Sequence, residues 1–548
     1  MIITLEGWIL PADGVFNLSR GRKAGEASFR ICTNWQYNHP MVRIRRWSFL
    51  LSILLAACAR PWTATSVVTP AQVWTTREVP TAGLETPSLS FRLPTMRPPD
   101  APMLTPTADN PHYQTVEAGG PEIYIVQSGD MLSAIAEYYH VSVEAIVRAN
   151  NITNPDALEV GQKLIIPVGA PEAPGPAYKL VPDSELVYGP MSGLFDIAAF
   201  IASQGGYLVN YSQDVNGLTL DAAQIVQLIA QDYSVSPRLL MALLEYRSGW
   251  VSNLNPDPSL GDTPFGTIDN WYIGLYRQLA WAAIQLNSGF YNWTVDGDHK
   301  WILTDGAIVP IDPTINAGTA GVQNFFAKLD DYPTWIRDVS PGGIFDTYYL
   351  LFGYPFDLSI EPLIPADLAQ PLLQLPFSTG ETWSFTGGPH LSWDAGTPYG
   401  ALDFAPPGEA LGCVESDNWV TAVANGLITR TGEGVVIQDL DGDGNEGSGW
   451  VILYMHVESR ERVSPQTFLR SGDPLGHPSC EGGIYTGTHV HLARKFNGVW
   501  IPATGAVPFN LSGWIASGTG EDYVGTLTRN GVVVEAFESN STVNKIQR

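Results

Sequence analysis

Positive charge is scarce in this 548-residue chain: 29 lysines and arginines stand against 55 aspartates and glutamates, for a formal net charge of −26. That imbalance gives solubility and argues against nucleic acid or an anionic membrane surface as the main partner. Long apolar runs are also missing. Beyond the N-terminal region there is no stretch of about 18 apolar residues, so no spanning helix is expected in the body of the chain. Cysteine (4) and histidine (9) are rare, which makes their placement informative, and five of the nine histidines fall between residues 390 and 491. What the chain does have is length. It exceeds what one hydrophobic core covers, and roughly two to four domains are expected.

The N-terminal region reads as an export signal. From Met41, "MVRIRRWSFLLSILLAACAR" has basic Arg43, Arg45 and Arg46, then an apolar stretch, then small residues before Cys58. "LAAC" at 55–58 resembles the bacterial lipoprotein signal, which implies lipidation at Cys58, a membrane anchor and a place in the cell envelope. An ordinary signal peptide with an incidental cysteine, or a signal anchor, is the alternative. Residues 1–40 would then precede the true start, with 41–58 as signal. With Cys32 upstream, Cys413 and Cys480 remain as either a disulfide in an oxidising compartment or two buried thiols. Residues 59–121 are rich in proline and threonine and too poor in apolar residues to fold, so they read as a tether.

Residues 122–168 contain "YIVQSGDMLSAIAEYYHVSVEAIVRANNITNPDALEVGQKLIIP". A short strand precedes two stretches of helical periodicity, and "KLIIP" closes the unit. This resembles a LysM module, a small βααβ fold, and the resemblance implies binding of N-acetylglucosamine-containing glycan such as peptidoglycan. The expected contacts are Gly129, Asp130 and Met131 in one loop and Asn151 and Pro155 in another. A helical spacer without ligand is the plainer reading.

Residues 175–375 read as mainly helical, from periodicity in "AAQIVQLIAQDYSVSPRLLMALLEY" and "GLYRQLAWAAIQLNSGFY". "SVSPRLLMALLEYRSGW" resembles lysozyme-like lytic transglycosylases, but Arg247 stands where the acid glutamate belongs and cannot donate a proton at neutral pH. Glycan cleavage would need Glu245 or a distant carboxylate to take over. The many aromatics of this region could stack on sugars, although at helical spacing they are more often core.

From residue 376 short alternating apolar runs separated by Gly, Asp and Pro turns predict a mainly antiparallel β domain to 514, with 515–548 as a tail that adds at most a hairpin. In "THVHLA" an extended backbone sets His489 and His491 on one face. Such a pair alone is more often simply satisfied than metal-binding. His390 and Asp403 in "GGPHLSWDAGTPYGALDF" and His456 in "YMHVES" change that reading. The constellation resembles the zinc metalloendopeptidases of the lysostaphin and β-lytic type, which cut cell-wall peptides. In the lysostaphin-like branch the first histidine lies four residues before the aspartate, where this chain has Tyr399. The β-lytic branch takes it from a "GGPH"-like turn, which His390 matches. The resemblance implies zinc on His390, Asp403 and His491, with His456 and His489 beside it for proton transfer and oxyanion stabilisation.

In "DLDGDGNEGSGW", Asp439, Asp441 and Asp443 match half of a calcium loop, but Trp450 replaces the closing glutamate, so a polar turn between strands competes with a Ca2+ site. The expectation is a multidomain, exported wall hydrolase of the peptidase class. A non-catalytic activator of another wall hydrolase and a glycan-cleaving enzyme centred on Glu245 are the alternatives.

Overall fold

The computed structural model describes residues 122–548 except 128, 140, 156, 167–173, 296, 298 and 409–411. The export signal, Cys58 and the tether lie outside the described residues. Among the described residues no helix is long and apolar enough to cross a membrane.

The first unit pairs β1 (Glu122–Ile125) with β2 (Lys163–Ile166) antiparallel, and α1 (Leu132–Tyr138) and α2 (Val143–Asn150) lie between them in sequence. Leu132, Ile135, Ala136, Ile146, Leu164 and Ile166 make a small core of its own. Ser142 caps α2 by accepting from Ala145 N–H. The Asn150 carboxamide donates to the Ile146 and Ile165 carbonyls and accepts the Ile165 N–H, which ties α2 to β2.

The middle region holds α3 (Ile197–Gln204), β3 (Ser212–Val215), β4 (Leu218–Asp221), α4 (Ala222–Asp232), α5 (Pro237–Ser248), α6 (Leu275–Thr294), β5 (Lys300–Ile302), β6 (Ile308–Pro310), α7 (Ala317–Ala327), α8 (Tyr332–Asp338) and α9 (Ile344–Phe352). Local sequence explains the boundaries. Asp221 and Gln224 form a capping box at the start of α4; Ser236 caps α5, Pro237 fills its first turn, and Gly249 ends it in the left-handed conformation. The two hairpins were not expected from helical periodicity. β3–β4 turns at Asn216 and Gly217, both with positive φ, the geometry that an Asn-Gly pair favours.

The C-terminal region contributes β7 (Thr382–Leu391), β8 (Tyr399–Ala405), β9 (Val420–Thr421), β10 (Gly426–Gly432), β11 (Val435–Asp439), β12 (Trp450–Met455), β13 (Phe468–Leu469), β14 (Pro474–Gly476), β15 (Val490–Phe496), β16 (Val499–Trp500), β17 (Asn510–Leu511), β18 (Trp514–Gly518), β19 (Gly525–Arg529), β20 (Val532–Glu535) and β21 (Lys545–Gln547). The main sheet runs β13-β10-β11-β12-β15-β8-β7-β21, and β16 pairs with β15. Its two faces feed different cores. Val436, Ile452, Tyr454, Leu402 and Leu492 pack on one side with Trp383 and Phe385. Ile437, Val451, Leu453, Met455, Ala401 and Ala493 pack on the other, in one continuous core with α4, α5, α6 and α7.

The apolar faces of residues 175–375 close on the sheet, and residues 515–548 pack and pair with it. β21 pairs with β7, Ile546 opposite Trp383, and β17 to β20 form a second sheet whose Leu527 and Val534 belong to the same core as Trp383.

Candidate metal centre

The sheet register brings the three separated motifs together. His491 of β15 lies opposite Asp403 of β8, and Ala401 of β8 lies opposite His390 of β7. All three side chains are buried, and they sit on the face that packs toward the helices. His390 Nε2 is 2.9 Å from His491 Nδ1 and 3.2 Å from Asp403 Oδ1, and His491 Nδ1 is 3.3 Å from the same oxygen. The "GG" of the first motif is required here, since a Cβ on Gly387 would come within 2.4 Å of Asp403 Oδ2.

Each imidazole commits its other nitrogen to the backbone. His390 Nδ1 is 2.8 Å from the Gly388 carbonyl and His491 Nε2 is 3.1 Å from that of Ser392. A carbonyl only accepts, so those nitrogens carry the protons and the remaining two present lone pairs to one another. Asp403 Oδ1 faces both and is buried without a hydrogen-bond partner. Two lone pairs and a carboxylate oxygen at about 3 Å repel unless a cation stands between them. Their mutual separations suit the edge of a tetrahedron around zinc, whose nitrogen and oxygen ligands lie at about 2.0–2.2 Å. The donor set fits a catalytic zinc with an open position. Against its burial, which acts the other way, the imidazoles of His390 and His489 hold the Asp403 carboxyl well below the usual carboxylate range.

His456 and His489 stand beside this cluster, ring centroids 4.3 Å apart. Their Nδ1 atoms are 3.1 Å from the Glu481 carbonyl and 2.7 Å from the Gly487 carbonyl, so both donate there and leave Nε2 as an acceptor. Burial, then the neighbouring His489 and His491, pulls His456 down to about 3. His456 also holds a positive φ of 65°, a strained backbone for a bulky residue. Cys413 and Cys480 are joined as a disulfide, next to the loop that carries Glu481.

One neighbour has no counterpart in the sequence reading. The ring of Tyr523 stacks on that of His390 with centroids 4.3 Å apart, and its backbone bonds both Pro389 and Gly388. No short motif announces it, because it comes from the region read as a tail. Tyr399, opposite Leu391, lies at the start of β8.

The other expected sites fare differently. In the first unit Asp130 accepts from the Tyr124 phenol and the Gln127 N–H, so it holds its own loop; Gly129 has positive φ, and Met131, Asn151 and Pro155 are exposed. The oxygens of Asp439, Asp441 and Asp443 converge within 4.8 Å. They accept from the loop's own N–H groups at 441, 443, 444 and 445 and from Ser448 Oγ, which makes the segment a hydrogen-bonded connection between β11 and β12. Burial and Asp441 push Asp439 up to about 7. The relatives give no support for calcium. Glu245 accepts from the N–H groups of Val251 and Ser252 and from the Ser252 hydroxyl, while Arg247 pairs with Asp330 at 2.8 Å. That carboxylate ties off the end of α5 instead of facing a cleft as a general acid.

The buried His390, Asp403 and His491 on this antiparallel sheet, flanked by two further histidines, could hold a metal ion. The relatives are proteases and metalloendopeptidases. Residues 124–167 match the LysM domain, and residues 179–365 match "LasA, N-terminal domain"; this match, and not the short likeness to transglycosylases, describes the helical region. Protease LasA of Pseudomonas aeruginosa is 24% identical over 343 residues, 59% of this chain and 75% of LasA. The β-lytic metalloendopeptidase of Lysobacter enzymogenes is 29% identical over 159 residues, 28% of this chain and 83% of that enzyme. Among solved structures, the M23 metalloprotease pseudoalterin from the deep sea aligns at 25% identity over 33% of this chain and 99% of its own, with a TM-score of 0.27. The chain thus carries a LysM domain and has LasA-like and β-lytic metallopeptidases as homologues.

Proposed function

We propose that this chain is an exported, zinc-dependent endopeptidase that cleaves stem or cross-bridge peptides of bacterial peptidoglycan and is held on the glycan by its LysM domain. The observation that carries the reading is the convergence of His390 Nε2, His491 Nδ1 and Asp403 Oδ1, each fixed from behind or orphaned in a way that a bound metal ion satisfies. Zinc held by His390 Nε2, Asp403 Oδ1 and His491 Nδ1 would supply a Lewis acid and a water acidic enough to attack near neutral pH. This chain's own groups do the rest. His456 and His489 are anchored through Nδ1 and offer Nε2: one takes the proton from the attacking water, and the N–H so formed can donate to the charge that develops on the scissile carbonyl oxygen before the proton passes to the leaving amine. Tyr523, stacked on His390, holds that ring in place.

LysM contributes binding and not chemistry. Docking on glycan raises the local concentration of linked peptides, and lipidation at Cys58 would confine the enzyme to the envelope within reach of a 59–121 tether.

The test is the product. The full chain loaded with zinc should release new amino groups from peptidoglycan without new reducing or anhydro sugar ends, and chelation should stop the release. Sugar ends without amines would replace this reading with glycan cleavage, and neither product would leave an adaptor.

A further inference from the structure

The metal cluster opens into a cavity of about 870 Å³ whose walls come from both the helical layer and the sheet. Away from the three ligands, this cavity is lined by Trp393 and Asp394, from the turn after β7, and by Tyr233 and Tyr276 of the helical layer. The Tyr233 phenol donates to Asp394 Oδ2 at 2.9 Å, and Ala395 N–H donates to Oδ1 at 2.7 Å. The Tyr233 ring meets Trp393 edge to face, centroids 6.3 Å apart. Burial first, and then Asp394, raises the Tyr233 phenol, so it stays a donor and the carboxylate stays an acceptor. Asp394 is exposed, and among the described residues no cation pairs with it.

The charge of the rest of the cavity points the same way. Asp196 and Glu433 line it too, and neither has a cationic partner among the described residues. Arg430 is its one lining lysine or arginine, and it is enclosed by Asp232 at 2.6 Å and Glu446 at 3.0 Å. Beyond burial, the charges of Asp232, Glu433 and Asp394 all bear on the Tyr276 phenol. The carboxylates of Asp394, Asp196 and Glu433 accept only from neutral groups and have no cationic partner among the described residues, while the guanidinium has two anionic ones. A carboxylate bordered by aromatic rings is the arrangement that binds an alkylammonium group, by ion pairing on one side and cation–π attraction on the others.

We propose that this end of the cavity is a subsite for a primary ammonium group of the substrate peptide, the side chain of a lysine-like diamino acid, paired by Asp394 and enclosed by Trp393, Tyr233 and Tyr276. The proposal rests on the peptidase reading of the metal centre and adds to it a substrate class. It also makes the helical layer part of substrate selection, since Tyr233 and Tyr276 belong to it.

The experiment uses the full-length zinc-loaded protein and two wall-type peptides that differ only in whether the diamino acid's side-chain amine is free or acetylated. Wild type should favour the free amine on the order of tenfold through KM. Asp394→Asn keeps an oxygen for Tyr233 but loses the charge; it should raise KM for the free-amine peptide to that for the acetylated one and so erase the preference, and Asp394→Glu should restore part of it. Equal treatment of both peptides by wild type, or an equal loss on both in Asp394→Asn, would overturn the proposal and leave Asp394 as a bond between layers. Cleavage of neither peptide would instead sink the peptidase reading. Calorimetric titration of the two peptides would then decide the subsite: tighter binding of the amine peptide that Asp394→Asn abolishes supports it, and no difference overturns it.

Discussion

Three histidines crowd around Asp403, and their distances from its carboxylate separate two kinds of residue. His390 and His491 aim a nitrogen at Oδ1 from 3.2 and 3.3 Å, whereas His489 comes no nearer than 3.9 Å, and to the other oxygen. His491→Ala and His390→Ala should each lose zinc and activity together, because two protein ligands hold zinc far less tightly than three. His489→Ala should keep zinc and lose turnover on the order of 10²-fold, since its contribution lies in proton transfer. Metal content by emission spectroscopy beside the rate decides it, and a zinc-free His489→Ala or a zinc-replete His390→Ala would contradict the assignment. These residues were legible because each stands in a short motif whose backbone geometry is local: two residues apart on a strand, or just after a Gly-Gly pair. Asp394 and Tyr233 were not, because they meet 161 residues apart, and no sequence spacing encodes a contact between layers.

At the scale of the element, the alternation along β15 sets which residues face which layer. Val490 and Leu492 enter one core, while His491 and Ala493 face the helices, and Lys495 follows on that same side. Periodicity of two made the sheet readable and periodicity of 3.6 made α4 to α6 readable; what was lost were short elements such as β3–β4 and β21, whose three or four residues carry too little pattern. Lys495 is the unusual result of this register, a buried cation near Glu446, Arg430 and Asp232 with its ammonium 5.1 Å from the Trp500 ring. Burial, helped by Arg430 and opposed by Glu446 and Asp232, brings it from 10.5 down to about 8. The folded protein therefore sheds this proton at lower pH than the unfolded chain does, and the unfolded chain binds more protons between those values. Stability from this group is present above 10.5 and is lost as pH falls through 8. The melting temperature of wild type minus that of Lys495→Met should rise from about pH 8 to pH 10.5. A flat difference would mean that the ammonium is solvated in the folded state.

For the whole molecule, the decisive contrast is between cores that are shared and cores that are private. Helices and sheet close one continuous core, and buried bonds cross it, as from the Trp500 N–H to the Tyr291 hydroxyl oxygen and between Arg430 and Asp232. Removing one layer would uncover the apolar face of the other, at roughly 1.5–3 kcal/mol for each large side chain exposed. The LysM unit is different. Its core of Val126, Leu132, Ile135, Ala136, Ile146, Leu164 and Ile166 is a cluster of its own among the described residues, so deleting residues 122–168 removes no side chain from the core that helices and sheet share. That difference predicts a clean separation of docking from cutting. The deletion should weaken retention on peptidoglycan sacculi in a pull-down, yet leave kcat/KM on a soluble wall peptide within about twofold of the full chain, because losing a tethered binding module removes effective concentration and not a contact made in the transition state. If retention were unchanged, glycan binding would have to move to the helical layer. If soluble-peptide turnover fell with retention, the LysM unit would have to touch the catalytic layers.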